Sequence, residues 1–563
     1  MPLTVALAVV GVGAGPAVAA ARGFQAAPGR VVFAGASDSA TSAAVGLPDG
    51  GAVLAGPAKT GCAVAEVTAG GQLDRSFGHA GIARVAGLAS PNEILRQPDG
   101  KLIVVGDGAA SGSHSPLMVI ARLDPDGGLD PSFGSGGVEE LGIQNTGPGD
   151  PVALLASGEL VATGGVGTAG LVSATNPTVL SVGRWVVVEL TSTGGVDPAF
   201  GTSGVATLPP AAAEGTDVAI ASNGEIVTTG LVERSPSTVV EEVSRVSPAG
   251  GVDPTFNGGV PAVVPGVEGN GLLVAEPDGS VVLGVFDLGG QGGLARFTAA
   301  GALDATFGSA GVARLPTATG RLQLLGAQNL ELLPAPDEGV LAIVERDSVA
   351  GLGVYGITSA GAVDRSIGGP SGLRVRLAFG GADQLPLFGT IKPQPVEPLV
   401  EDSFADGIVV VRPAGGYLVA GTVSVLEQTG SGDGPSISDF AIAGLTPQFA
   451  PDTSFGGRAT RLRIGLRVPA QTASADHRAH GMRVTLDMSA PGDARIVIRA
   501  GSRVVAQVLV PVLSAGPHGV RVVPTAFGAR WLAAGPVGRL TARAVGRDLL
   551  ASSASATASG ALR

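Results

Sequence analysis

Residues 70–81 read GGQLDRSFGHAG and set a carboxylate (Asp74), a cation (Arg75) and a hydroxyl (Ser76) between glycines, with one aromatic ring (Phe77). A general acid or base, a charge stabiliser and a nucleophile are drawn from these side-chain types, so the stretch has the composition of a catalytic loop. A second grouping, LDPDGGLD, brings Asp124, Asp126 and Asp130 close together, as hard cations such as calcium require. His477 and His480 stand three apart, close enough to share a metal if they lie on one helix. The segment 380–406 carries Glu397, Glu401, Asp402 and Asp406 beside Leu and Phe residues and reads as a long contact loop. Two further insertions, 166–183 and 426–439, are of the same variable kind.

Most of these groupings have a plainer reading. Sister segments VTAGGQLD and VSPAGGVD lack the first two carboxylates of LDPDGGLD, and the glutamate that closes an EF-hand loop is missing, so calcium stays an alternative to no cofactor. The two histidines sit in loop-like sequence without an evident third ligand and are expected to be exposed. There is no GxSxG elbow, no GxxxxGKS or GxxxxGKT phosphate loop and no SxDxGxTW box. His79 and His114 are the only histidines among residues 28–463, which leaves few candidates for histidine acid–base work. Two facing carboxylates could still serve a glycosidase, because sequence does not show facing. Two Trp and two Tyr are few for carbohydrate binding.

The opening stretch is one of seven copies. LDRSFG at Asp74 returns as LDPSFG at Asp130, VDPAFG at Asp197, VDPTFN at Asp253, LDATFG at Asp304, VDRSIG at Asp364 and PDTSFG at Asp452, about 63 residues apart on average. A glycine stands three residues before the Asp in six copies (Gly71, Gly127, Gly194, Gly250, Gly301, Gly361), and Phe449 replaces it in the last. A second motif precedes each copy: LPDGG, QPDGK, LASGE, ASNGE, EPDGS, APDEG and RPAGG. Such turns followed by apolar runs are hairpin signals, with Pro presetting φ, Asp or Asn capping and Gly taking positive φ. Each unit reads as four antiparallel strands, so the expected fold is all-β: a seven-bladed β-propeller over residues 28–463.

In such a scaffold the Asp and the Ser or Thr two residues on are expected to accept backbone N–H bonds within the turn. Six of the 16 Phe residues (Phe77, Phe133, Phe200, Phe256, Phe307, Phe455) fall at one motif position, which predicts a ring filling a repeated core slot. The motif is therefore read as structural and no catalytic residue is assigned.

QPDGKLIVVG at 97–106 and LDPSFGSGG at 129–137 resemble the hallmark of the bacterial delta-60 repeat family, and the resemblance extends over about residues 28–463 with drift. Departures are Ile367 for Phe, Asn257 for Gly and Phe449 for the upstream glycine. The resemblance implies a secreted or surface-associated, propeller-like protein and no catalytic residues.

The strand GRVVFAG at 29–35 resembles the strand that elsewhere follows SFG, and is expected to pair with the last blade and remove an exposed edge. Residues 1–20 are read as a signal peptide, with Ala17, Val18 and Ala19 as the small-residue triplet. Residues 464–563 alternate apolar and polar between Gly and Pro turns, similar to an immunoglobulin-like or fibronectin type III-like β-sandwich. A net charge of −12 and the lack of a basic run argue against nucleic acid. One cysteine, Cys62, cannot form an intrachain disulfide. The expectation is an exported, secreted monomer without a transmembrane segment beyond the signal, non-catalytic, binding a protein or cell-surface ligand. The alternative is a propeller hydrolase with a carboxylate centre at the channel mouth.

Overall fold

The computed structural model describes residues 24–27, 30–33, 41–58, 60–108, 117–144, 151–166, 183–209, 213–235, 238–264, 267–287, 292–316, 330–335, 339–345, 351–367, 373–376, 400–429, 432–456, 463–469, 482–489, 492–512, 516–522, 524–533, 538–548 and 553–562. The expected signal peptide, His114, His477, His480 and Glu397 lie outside them.

The PDG turns do what their residues dictate. Gly50 N–H donates to Leu47 O at 2.9 Å, Gly50 adopts φ +90° and Asp49 Oδ1 accepts the Gly51 N–H at 2.9 Å. An apolar strand leaves each turn and pairs back, and four such strands make an antiparallel sheet. Sheet 1 holds Ala43–Gly46, Ala52–Ala58, Gly61–Val67 and Ile82–Val85 in spatial order. Sheets 2 to 6 begin with Leu88–Arg96, Val152–Leu154, Ala213–Ile220, Val267–Ala275 and Leu330–Ala335 and repeat the order. Sheet 7 is built from Val400–Val411, Tyr417–Thr429 and Gly432–Leu445, then Arg30–Phe33 and Phe24–Ala27. Arg30–Phe33 pairs antiparallel with the third strand, Phe33 opposite Phe440, so residues about 400 apart in sequence share one sheet. The hairpin partner Phe24–Ala27 extends that sheet beyond the expected closing strand.

Burial is sheet on sheet. Phe77 of sheet 1 packs in one cluster with Leu102, Val104 and Ala121 of sheet 2. Phe133 of sheet 2 does the same with Leu160 and Val186 of sheet 3. The order is cyclic: Phe440 and Phe455 of sheet 7 share a core with Leu54 and Ala65 of sheet 1. The first strands stand side by side, and two carboxylates stitch them: Glu93 accepts the Val152 N–H at 3.1 Å and Asp217 the Leu273 N–H at 2.9 Å.

Two readings need correction. Residues 400–406 are strand, not loop: Glu401 opposes Val425, Asp402 opposes Ser424 and Ala405 opposes Gly421, so Glu401, Asp402 and Asp406 have strand backbone. Most of 426–439 is likewise strand, Leu426 opposing Ser436. The hairpin runs on past the usual strand length with β-prone Val400, Phe404, Thr422, Val423, Val425 and Ile437 along it, and Gly432, Gly434 and Pro435 stand only near its far end.

After residue 463, Ile464–Arg467, Met482–Met488 and Gly516–Val522 form sheet 8, and Arg503–Val512, Gly492–Ala500, Gly538–Asp548 and Ser553–Leu562 form sheet 9. Met482, Leu486 and Val522 from one and Ile496, Ile498 and Leu540 from the other make a single core. A helix, Ala526–Ala533, interrupts these strands and is started by Thr525 Oγ1 accepting the Gly528 N–H at 3.0 Å. Among the described residues no helix is long and apolar enough to cross a membrane.

Since Phe133 is 1% exposed, Phe133→Ala is expected to lower the unfolding free energy by about 3–5 kcal/mol. Denaturant titration measures it; a loss below about 1 kcal/mol means the ring is not a packing anchor.

Candidate functional site

All seven Asp side chains of the repeated motif turn back on their own chain. The Oδ1 atoms of Asp74, Asp130, Asp197, Asp253, Asp304, Asp364 and Asp452 accept the N–H two residues on at 2.8–3.0 Å. The hydroxyl acts differently from expectation. Ser76, Ser132, Thr255, Thr306 and Ser454 donate to the same Oδ1 at 2.5–2.8 Å, because a carboxylate is the stronger acceptor nearby. The backbone closes a turn from Asp to Phe, for example Phe77 N–H to Asp74 O at 3.2 Å. The variable residue is the second turn position, where Pro131, Pro198 and Pro254 suit the required φ.

The ring that follows is held against the next sheet. Phe77, Phe133, Phe200, Phe256, Phe307 and Phe455 are 1–2% exposed. The upstream glycine of the next sheet is what lets the ring in. A Cβ on Gly194 would lie 2.9 Å from Phe133, and one on Gly71 3.0 Å from Phe455, and both glycines have positive φ. Just past the ring, Gly78, Gly134, Gly201, Asn257, Gly308 and Gly456 each donate an N–H to a turn carbonyl of the next sheet at 2.6–3.0 Å. The sixth junction exchanges the partners: Ile367 stands for the ring and Phe449 for the glycine, and Phe449 stacks on Tyr417 with centroids 4.2 Å apart.

A cation completes four of the clusters. Arg122, Arg245 and Arg296, each eight residues before the Asp, bind Asp130, Asp253 and Asp304 through Nε at 2.6–2.8 Å. Arg412, at the turn that follows the sheet's first strand Val400–Val411, reaches Asp452 through Nη1 at 2.9 Å. Each guanidinium also lies over the motif ring, 4.7 Å from the centroid of Phe133 and 5.9 Å from that of Phe455 at the extremes. The remaining nitrogens cross the junction: Nη1 of Arg122, Arg245 and Arg296 donates to Ser192 O at 2.5 Å, Ala299 O at 2.7 Å and Ser359 O at 2.6 Å, and Arg412 Nη2 to Ala69 O at 3.2 Å. Spacing from the Asp could have revealed the first three arginines; Arg412 carries no such signal.

The acceptor carbonyl is always that of the second residue of a tight turn, closed by bonds such as Gly194 N–H to Thr191 O at 2.9 Å. At the four junctions with an arginine that residue is Ser192, Ala299, Ser359 or Ala69. At the three others the arginine position is Glu66, Glu189 or Gly356, and the turn residue is Pro125, Pro248 or Pro447. Proline presets φ at this position and removes freedom from the unfolded chain. An arginine clamp from the preceding sheet or a proline within the turn thus fixes the same backbone, one device per junction.

Charges follow this division. Burial alone raises Asp130, but Lys101, Ser132 and Arg122 overcome it and hold the carboxyl well below its ordinary range. The ammonium of Lys101 sits 2.8 Å from Asp124 Oδ1 and 2.6 Å from Asp130 Oδ2, between two of the carboxylates read as calcium ligands; Asp126 Oδ1 accepts the Gly128 N–H at 3.0 Å. Where arginine is missing, burial and neighbouring acids push Glu66 up to about 7, with Asp74 and Asp49 the acids. Glu189 is raised by burial, Asp197 and Glu159. Burial drives the Cys62 thiol up to about 12, which makes it a poor nucleophile. No group of three or more His, Cys, Asp or Glu among the described residues is placed to hold a metal. Glu397 and the side chains of Glu401, Asp402 and Asp406 lie outside the described residues.

One carboxyl that sequence reading missed is Glu241, 3% exposed, whose Oε1 accepts the Thr216 hydroxyl at 2.5 Å. Burial pushes it up to about 7 from 4.5. Its raised value means the folded chain keeps a proton that the unfolded chain releases, so its ionisation weakens the fold as pH rises from about 4.5 to about 7. Glu241→Gln is expected to flatten the stability profile in that window by up to about 3 kcal/mol; urea midpoints at both ends test it, and parallel profiles contradict it. For the junction clamp, Arg122→Ala is expected to cost about 2–3 kcal/mol. Ser192→Pro should restore about 0.4–1 kcal/mol in that background and less beside the intact arginine. A double-mutant cycle in urea reads the difference, and equal effects in both backgrounds reject the substitution of one device for the other.

Several solved structures are similar to the chain at low identity. A protein of unknown function from Dyadobacter fermentans is 14% identical, with 74% of this chain covering 98% of that one at a TM-score of 0.36. The sialidase of Trypanosoma rangeli is 9% identical, covering 86% of this chain and 85% of that one at 0.35. Prolyl oligopeptidase B from Galerina marginata is 10% identical, covering 80% of this chain and 56% of that one at 0.36. No curated protein matches the chain. Residues 97–133 and 276–307 match the family described as a domain of unknown function (DUF5122) beta-propeller, and the repeated sheets have that all-β, antiparallel form.

Proposed function

We propose that the chain is an exported, non-catalytic binding or scaffold protein of the delta-60 type: a seven-bladed β-propeller over residues 28–463, secreted through the leader at 1–20, followed by an immunoglobulin-like β-sandwich over 464–563. Its ligand is a protein or cell-surface component. One observation carries the reading. The motif residues that look catalytic are engaged in holding sheets together: Asp to its own turn, Phe to the next sheet's glycine, and Arg, where present, to the next sheet's carbonyl. Carboxylates held below their ordinary range by such partners are weak bases, and a site repeated seven times with the same internal bonds has no single reacting centre.

A carboxylate hydrolase needs two inward acids from different blades directed at a substrate. Glu93 and Asp217, on neighbouring first strands of different sheets, instead take N–H bonds from the adjoining sheet. Recognition is then left to the variable segments, with 380–406 the first choice. The test is a pull-down from the surface fraction of the producing cell, with the full chain and with residues 381–399 removed. A retained ligand that is lost on deletion supports the reading; glycan hydrolysis by the purified chain refutes it.

A further inference from the structure

The charge of the chain is divided unevenly. Residues 464–563 hold twelve of the 35 basic residues and four of the 47 acidic ones, leaving 23 and 43 for residues 1–463, so the two parts carry formal charges of +8 and −20. All twelve are arginine. Sheet 9 turns Ile496, Ile498, Leu540, Ala542 and Ala544 inward to the core. Strand alternation puts Arg495, Arg499, Arg539 and Arg543 on the other side, the last three exposed and Arg495 half-buried. Val497 opposes Arg543 and Arg499 opposes Thr541, so the four stand on two adjacent strands. Strand geometry spaces them about 13 Å along each strand, and Arg543, opposite Val497, stands diagonally about 8 Å from both Arg495 and Arg499 on the neighbouring strand. Exposed Thr541, Ser555, Thr557 and Ser559 lie among and beside them. Among the described side chains, this face carries no acid and no aromatic ring. Arg499 Nη1 donates to Ser502 O at 2.8 Å and Arg495 Nη2 to Gln507 Oε1 at 3.5 Å, contacts that hold the heads near the sheet surface.

We propose that this arginine face docks on an anionic lipid bilayer. Its charges spread over two dimensions of a sheet surface, which matches a plane of headgroup phosphates, and guanidinium forks bind phosphate through paired N–H donors. Single-stranded nucleic acid would ask for exposed rings on which bases stack, and the face has none among its described side chains. The acidic part of the chain is repelled by the same membrane, so the field orients this end toward it. The attraction acts within about one Debye length, some 10 Å at ordinary salt. The proposal does not depend on what the repeated sheets bind.

Sedimentation of the full chain with vesicles tests it, using phosphatidylcholine alone and phosphatidylcholine containing about one third phosphatidylglycerol. Binding is expected to the anionic vesicles only, and to vanish at about 0.5 M salt. Arg499→Ser with Arg543→Ser should lower the partition coefficient about tenfold or more, while Arg499→Lys with Arg543→Lys retains most of it. Both pairs are surface changes, and an unchanged unfolding midpoint verifies that they fold. Equal binding to both vesicle types, binding indifferent to the serine pair, a salt-sensitive dimer in place of vesicle binding, or tighter capture by single-stranded DNA each overturns the proposal.

Discussion

A benzyl group seated on bare backbone joins one sheet to the next. The ring belongs to one repeat and the glycine that admits it to the following one, so neither residue means anything without its neighbour. A Cβ on Gly127 would come within 3.1 Å of Phe77 and one on Gly301 within 3.0 Å of Phe256. The same Cβ atoms would stand 2.7 Å from Gly78 N and 2.6 Å from Asn257 N, so the junction would have to shift. The same glycines carry positive φ, which ends one tight turn and turns the chain toward the Asp motif. One residue type therefore meets two demands at six of the junctions, and at the sixth in order both residues differ: Ile367 stands in place of the ring and Phe449, stacked on Tyr417, in place of the glycine.

Polar groups around the ring bind one another, with Arg412 Nε the exception, buried without a hydrogen-bond partner. The Asp closes its own turn, the hydroxyl donates into it, and the guanidinium spans from the Asp across the ring to a carbonyl of the next sheet. Removing a sheet from this cycle would leave an amide, and at four of the junctions an arginine, unpaired on one cut face and acceptor carbonyls unpaired on the other, in addition to the exposed ring. That cost explains why the first and last sheets meet through the same set of bonds, Gly456 N–H to Gly70 O at 3.0 Å and Arg412 to Ala69 O at 3.2 Å. A frame stitched this way is stiff, and stiffness is what lets insertions vary at little cost.

Electrostatics act at a second, longer scale. Within the sheets charges are paired at under 3 Å and largely shielded from salt, whereas the arginines of sheet 9 face water and respond to the ionic medium. The two populations differ although both consist of arginine: one is paired with buried carboxylates, the other lies on the sheet surface with neutral partners such as Ser502 O and Gln507 Oε1.

Much of the architecture was legible because a repeat writes the same physical demand many times. Seven Asp motifs, six rings and six glycines are local signals, and the hairpin turns carry their φ requirements in their residues. The closing strand was legible too, since GRVVFAG lacks a motif before it and must find an edge. The arginine clamp was not. Arg412 stands at a turn and Arg122, Arg245 and Arg296 on a strand, yet it reaches the equivalent atom, which no alignment of repeats would reveal. Residues 400–406 were misread because loop and strand differ there only by a partner well along the chain, from Leu426 opposite Val400 to Gly421 opposite Ala405. Composition and spacing decided that this chain is a set of similar antiparallel sheets with a ring at each link. Which carbonyl each guanidinium finds, and whether a proline stands in its place, was decided by tertiary structure, because hydrogen bonds answer to distance in space and not to position along the chain.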